Sequence, residues 1–249
     1  MVMGNLVALN SGATMVYPNG FFDPKTALQA VSKYGCTALY GVPTMFTAML
    51  SELKNDNYKV STLRTGLMAG SVCPEPLIKK LQTDLNLYGL CVAYGMTETA
   101  PVSTLMRPDT PLHKRSSTVG TAGPMVEVKL VDESGKIVPI GEKGEVCVRG
   151  YLNMIKYWED EEKTNETKRN GWVHSGDIGV IDEDGYLSIV GRSKDMIIRG
   201  GENISPKEVE EFFGNKKWVK DIQVIGVKDE KFVEEVAAWI IPDRDVKDP

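Results

Sequence analysis

The segment Tyr94-Gly95-Met96-Thr97-Glu98-Thr99-Ala100-Pro101 follows the apolar run Leu90–Ala93 without a break. It therefore sits at the carboxyl end of a strand, where open α/β sheets bind their ligands. Gly95 permits close backbone approach, Thr97 offers a hydroxyl to a phosphate oxygen, and Glu98 supplies a hard carboxylate for a magnesium ion that keeps most of its waters. The same octapeptide also reads as a plain turn, with Thr97 capping it and Glu98 in solvent. A second strand end, Met68-Ala69-Gly70-Ser71-Val72-Cys73-Pro74-Glu75-Pro76, passes from strand to helix through small residues and prolines. Small residues there leave room for a flat ring, or make an ordinary tight turn.

Two later stretches carry further polar chemistry. Gly171-Trp172-Val173-His174-Ser175-Gly176-Asp177-Ile178-Gly179 places Asp177 in a glycine-bounded loop. A carboxylate there can accept hydrogen bonds from the vicinal hydroxyls of a ribose, or close an Asx-turn. His174 and His113, the latter in a loop, are the two histidines. Neither has a Ser or Cys partner whose sequence setting suggests a nucleophile, so triad hydrolysis is not supported. Gly191–Phe212 sets a charged turn, Arg192-Ser193-Lys194-Asp195, between the β-type runs Tyr186–Val190 and Met196–Ile198. Such a corner can touch a ligand or act as a joint, because a hinge needs only a few element-terminal residues. Beyond it, Ser205 as N-cap, Pro206 at the first helical position and Glu208 three residues on predict a capping box, with Val209, Phe212 and Phe213 as the buried face.

These residues need a scaffold, and the first third of the chain alternates the two periods of an α/β fold. Thr14–Tyr17 reads as a strand, Lys25–Lys33 as a helix, Thr37–Tyr40 as a strand, Pro43–Lys54 as a helix, Thr65–Ala69 as a strand, Glu75–Gln82 as a helix and Gly89–Ala93 as a strand. From about Thr118 the pattern turns β-rich, with Glu127–Val131, the turn Asp132-Glu133-Ser134-Gly135 and Gly144–Arg149. After the capped helix come two more strands, Ile222–Val227 and Val236–Ile241, which begin a small α+β lobe.

The composition is that of a globular protein: 249 residues, 42% hydrophobic and 25% charged. A net charge of −5 and a pI near 5.3 provide no electrostatic footprint for nucleic acid. No apolar run approaches the ~20 residues of a membrane span, and the start lacks the basic region of a secretion signal. The cysteines Cys36, Cys73, Cys91 and Cys147 lie far apart in apolar settings and read as reduced core thiols.

In order along the chain, Ala69-Gly70-Ser71, Tyr94–Pro101, Ser175-Gly176-Asp177 and Gly191–Glu208 resemble the adenylate-forming acyl-CoA synthetases. With Tyr40-Gly41-Val42-Pro43-Thr44-Met45-Phe46 added, the chain is most similar to the mitochondrial medium-chain branch, family member 2. The resemblance implies the C-terminal part of a large adenylate-forming domain (parallel α/β sheet plus β subdomain) followed by the start of a small mobile α+β lobe. Residues 1–191 would be the partial AMP-binding domain, with the β subdomain at about 118–191, and residues 192–249 the partial lobe, hinged at Lys194.

It implies an intracellular enzyme, in the mitochondrial matrix, that uses a fatty acid, ATP, Mg2+ and coenzyme A (CoA). Carboxylate attack on the α-phosphate of ATP would give acyl-adenylate and pyrophosphate, and the CoA thiol would then displace AMP. On matching positions, Ala69, Gly70 and Ser71 would line the adenine pocket with Tyr94, and Gly95 would let the backbone close on the nucleotide. Thr97 would contact the α-phosphate, Glu98 would hold the metal, Asp177 and Arg192 would hold the ribose, and Gly200 and Gly201 would face the pantetheine tunnel.

Two parts of the family pattern have no match in this sequence. No Ser/Thr/Gly-rich phosphate loop ending in Pro-Lys precedes the first strand, and the C-terminal Ser-Gly-Lys segment, whose lysine the family uses to neutralise charge in adenylation, has no match between Arg192 and Pro249. Since one lost transition-state stabiliser costs on the order of 10²- to 10³-fold in rate, the expectation is that these 249 residues alone are nearly inactive. The alternatives are an aryl-acid or carrier-protein-loading enzyme of the same fold, and a non-catalytic nucleotide-binding module.

Overall fold

The computed structural model describes residues 2–70, 73, 75–199, 202–229 and 232–243. Its first third is the expected strand–helix alternation. After a π-helical turn at Val2–Leu6 and α1 (Val7–Asn10), the segment expected as a strand, Thr14–Tyr17, carries no regular structure. Its β-type residues pair with no strand among the described residues, and Tyr17 lies in solvent. A strand needs a ladder to satisfy its backbone, which local propensity alone does not supply.

Helix α2 (Pro24–Tyr34) begins at Asp23, whose carboxylate accepts the Thr26 N–H at 2.8 Å, and ends on Gly35 in the left-handed region. Then follow β1 (Ala38–Gly41), α3 (Pro43–Glu52), β2 (Thr65–Ala69), α4 (Glu75–Asp84) and β3 (Gly89–Tyr94). Strands β1, β2 and β3 are parallel neighbours, with β4 (Thr104–Leu105) and β5 (Thr121–Ala122) continuing the sheet antiparallel. Leu28 and Val31 of α2, Phe46 and Met49 of α3, and Ile78 and Leu81 of α4 join Met68, Leu90 and Val92 of the sheet in one buried cluster.

The β1–β2 contact leaves no space for a side chain at Gly66. A Cβ there would lie 2.1 Å from the Leu39 carbonyl oxygen. Gly66→Ala should therefore force the two strands apart and cost about 3 kcal/mol or more of stability, read by urea denaturation. An unchanged midpoint would show that the sheet yields there without loss.

The β-rich middle comprises α5 (Leu112–Ser117), β6 (Val126–Val131), β7 (Gly144–Gly150), α6 (Glu161–Thr167), β8 (Lys168–Arg169), β9 (Trp172–Ile181) and β10 (Leu187–Arg192). The second sheet takes the order β10-β9-β7-β6, with β8 paired to β9. His113, expected in a loop, is in α5. A 3-10 turn, Ser193–Asp195, carries the charged corner into β11 (Ile197–Arg199), β12 (Glu202–Ile204), α7 (Pro206–Gly214), β13 (Val219–Asp229) and β14 (Val233–Pro242), whose sheet runs β12-β11-β14-β13.

Helix α7 starts where the sequence places it, at Ser205 with Pro206 first, but without the capping box. The Ser205 hydroxyl instead donates to the Val190 carbonyl at 2.9 Å, and Glu208 pairs with Lys143 at 2.8 Å. A tertiary acceptor has replaced the local one. Phe212, expected on the buried face, is exposed, while Phe213 stacks edge-on against Trp218.

By residue contacts the chain divides into two compact units. One holds Met1–Val128, Val148–Val173 and Asp182–Ser188; the other holds Lys129–Cys147, His174–Ile181 and Ile189–Pro249.

Candidate functional site

In the first unit, the carboxyl ends of β2 and β3 lie side by side, with Ala69 opposite Ala93. Gly70 and Tyr94 thus leave the sheet at adjacent points. Gly70 has φ +93°, and a Cβ would press on Val42 at 3.2 Å. Ser71 lies outside the described residues. At Gly95 the loop doubles back on itself: a Cβ would lie 2.2 Å from the Pro101 carbonyl oxygen. Only glycine fits that close backbone approach.

The loop continues into a 3-10 turn, Thr97–Thr99. Thr99 anchors it from inside. Its buried hydroxyl accepts the Met96 N–H at 3.2 Å and the Ser103 hydroxyl at 2.9 Å, and donates to the Met96 carbonyl. With Thr99 doing the holding, the Thr97 hydroxyl stays exposed and available. Glu98 is half-buried and fixed at two points: its carbonyl accepts the Met154 N–H at 2.8 Å, and its Oε1 accepts the Tyr157 hydroxyl at 2.5 Å. Glu98 Oε2 has no hydrogen-bond partner among the described residues, so one carboxylate oxygen remains for a cation. Burial, and then the bond to Glu98, push the Tyr157 phenol upward, so it stays a donor at neutral pH. Lys163 lies over the same ring at 4.7 Å.

Tyr157 and Thr99 escaped the sequence reading. The first is 59 residues from Glu98, and nothing in its spacing links the two. Thr99 stood beside Thr97, and only burial tells the anchor from the exposed hydroxyl.

In the second unit, Asp177 is not in a loop, as its glycines suggested, but inside β9. Gly176, at φ +72°, kinks the strand just before it. Ser175 binds the Val146 carbonyl at 2.8 Å and accepts the Asp177 N–H at 3.1 Å. Arg192 Nε, at the end of β10, donates to Asp177 Oδ1 at 2.9 Å, joining two residues that the sequence singled out separately. The pair is lopsided: the Asp177 side chain is 10% exposed and that of Arg192 65%. A buried carboxylate paired with an exposed guanidinium presents an acceptor on a strand with a cation beside it at the surface. Lys194 is exposed in the 3-10 turn, and Gly200 and Gly201 lie outside the described residues.

The cysteines divide. Burial raises the thiols of Cys36 and Cys91, as expected of inert core thiols. Cys147 is likewise a free, buried thiol, but it has polar neighbours: its Sγ lies 3.4 Å from His174 Nδ1, and Glu145 Oε2 is 2.7 Å from the same nitrogen. Acid and thiol on one nitrogen make no relay through the ring, so this is not a nucleophilic triad. No helix among the described residues is long and apolar enough to cross a membrane.

A family profile described as AMP-binding enzyme matches residues 1–158. The chain is 42% identical over 251 residues to an acyl-CoA ligase, sidI, of Aspergillus fumigatus, with 99% of this chain and 42% of that protein covered. It is 40% identical over 241 residues to the human mitochondrial medium-chain acyl-CoA ligase ACSF2, covering 96% and 39%. Among solved structures, ATP-bound MatB from Rhodopseudomonas palustris superposes with a TM-score of 0.88 at 31% identity, over 98% of this chain and 48% of that one. The chain thus spans under half the length of these relatives.

Proposed function

The chain belongs to the AMP-binding enzymes, and from that premise we propose that it carries much of the nucleotide site of a ligase that activates a medium-chain fatty acid with ATP and passes it to CoA. The observation that carries this reading is the strand-end loop of Gly95 to Thr99, where the backbone folds tightly enough to approach a nucleotide and one carboxylate oxygen of Glu98 is left for a cation. Ala69 and Gly70, with Tyr94, line the adenine side in this reading. Thr97 presents its hydroxyl to the α-phosphate.

Glu98 fits Mg2+, which takes one or two carboxylates along with phosphate oxygens and water. When bound, that ion would neutralise phosphate charge as the carboxylate attacks phosphorus. Asp177 accepts the ribose hydroxyls with Arg192 beside it. Lys194 is the hinge between residues 1–191 and a lobe of 192–249 in this reading. The medium-chain choice rests on the name and identity of the human relative.

Calorimetry on this chain with non-hydrolysable acyl-adenylates tests the reading. An octanoyl analogue should bind in preference to an aryl analogue. Binding of the aryl form alone would move the substrate class, and binding of neither would defeat the nucleotide-site assignment. Tyr157 is a positioning residue in this scheme, acting through Glu98. Tyr157→Phe should lower Mg2+-dependent ATP affinity about 10- to 100-fold, as loss of a partner to a metal-binding carboxylate commonly does. Affinity without Mg2+ should not move.

A further inference from the structure

We propose that Glu145, Cys147 and His174 form a binding site for a divalent transition metal, with zinc the best match, separate from the Glu98 carboxylate. Glu145 and Cys147 are two apart on β7 and share a face of that strand; His174 comes from β9. Their ligand atoms, one oxygen, one sulfur and one ring nitrogen, all lie within 4.8 Å of one another. Cys147 is wholly buried, while the His174 and Glu145 side chains are 12% and 27% exposed, so solvent reaches one side of the cluster.

His174 Nδ1 offers either one proton or one lone pair. A proton there serves Glu145 Oε2 at 2.7 Å and is not shared with the Cys147 sulfur at 3.4 Å, whose thiol also lies 3.8 Å from the Glu145 carbonyl oxygen. A cation at the convergence point satisfies all three groups. Zinc bonds of about 2.0 Å to nitrogen and 2.3 Å to sulfur in a tetrahedron put those two atoms about 3.5 Å apart, which is nearly the separation found. Glu145 Oε2 must retreat by less than about 1 Å, and its partly exposed side chain allows that.

The thiolate argues against magnesium or calcium, which prefer oxygen, and for zinc or its neighbours. An outer layer is already in place: the Gly176 N–H donates to Glu145 Oε1 at 3.1 Å, and the Ser175 hydroxyl holds the Val146 carbonyl between the two β7 ligands. On binding, the imidazole proton moves from Nδ1 to Nε2 and the thiol proton leaves to solvent. Three protein ligands then leave the fourth position to water.

Cobalt(II) is the probe. Titrated into the 249-residue chain, it should bind one to one with a thiolate-to-cobalt charge-transfer band, and zinc should displace it. Cys147→Ser should abolish the band, while Cys36→Ser and Cys91→Ser keep it. His174→Ala and Glu145→Gln should each weaken zinc at least about 10- to 100-fold, the loss already seen when only an outer partner is removed. Thermal unfolding of each variant without metal establishes that it is folded, and Glu145→Gln, at a partly exposed position, is the variant least disturbing to the core. No band at stoichiometric cobalt in the folded wild-type chain, a band surviving Cys147→Ser, or unchanged zinc affinity in Glu145→Gln would each overturn the site.

Discussion

Asp177→Asn is expected to weaken acyl-adenylate binding about 10²- to 10³-fold while leaving the chain close to its original stability. The substitution keeps the shape and one acceptor oxygen but removes the charge. A hydrogen bond to a charged acceptor contributes about 1.5–3 kcal/mol. Losing one such bond to the ribose and weakening the other gives a change of about 3–4 kcal/mol, and 1.4 kcal/mol is tenfold in affinity. Stability responds less because the intramolecular partner, Arg192, is 65% exposed, and ion pairs of that kind contribute little once solvent screens them. Ser175 and Gly176, which shape the strand before Asp177, are bonded to β7 independently of the carboxylate. Isothermal calorimetry with a non-hydrolysable adenylate, beside urea denaturation, separates the two effects. Wild-type affinity in a folded Asp177→Asn chain would remove Asp177 from the nucleotide site. Arg192→Leu should have a smaller effect, about tenfold, because its charge is already shared with water.

What the sequence revealed and what it hid divides along the distance between interacting residues. Thr65–Ala69 emerges as a strand with the bounds expected, since apolar alternation and the glycine after it are local signals. The helix at Pro206 likewise begins where its cap residue and proline say. The same cap misled about chemistry, because the Ser205 hydroxyl found a carbonyl fifteen residues back and left Glu208 to Lys143. Thr14–Tyr17 failed for the converse reason: its residues favour extended backbone, but no ladder among the described residues receives it. At the candidate site, Gly70 and the Gly95–Thr99 loop follow the ends of β2 and β3 where their motifs put them, whereas Asp177 sits within its strand. The contacts that fix those groups, Tyr157 on Glu98 and Arg192 on Asp177, join residues 59 and 15 apart. Glu145, Cys147 and His174 were invisible for the same reason, since a spacing of 27 between cysteine and histidine matches no metal motif and only the pairing of strands closes it.

Glu98→Gln should abolish the advantage that Mg2+ gives to ATP binding, an effect of about 10²- to 10³-fold, the scale on which a single charge-stabilising group acts in such sites. Glutamine can still accept the Tyr157 hydroxyl through its side-chain oxygen, and the backbone bond from Met154 is untouched. The turn anchored by Thr99 should therefore persist, and a loss of binding would report the missing charge rather than a collapsed loop. Measured with and without Mg2+, the wild-type chain should bind ATP more tightly with the ion, and Glu98→Gln equally weakly in both. If the variant keeps the full Mg2+ dependence, the ion sits elsewhere. The pair with Tyr157→Phe sharpens the result. Contacting residues that serve one function are non-additive, so if Tyr157 acts only by orienting Glu98, the double variant should bind Mg2+-ATP no worse than Glu98→Gln alone. A further drop in the double variant would mean that Tyr157 touches the nucleotide itself, and would turn it from a positioning residue into part of the binding surface.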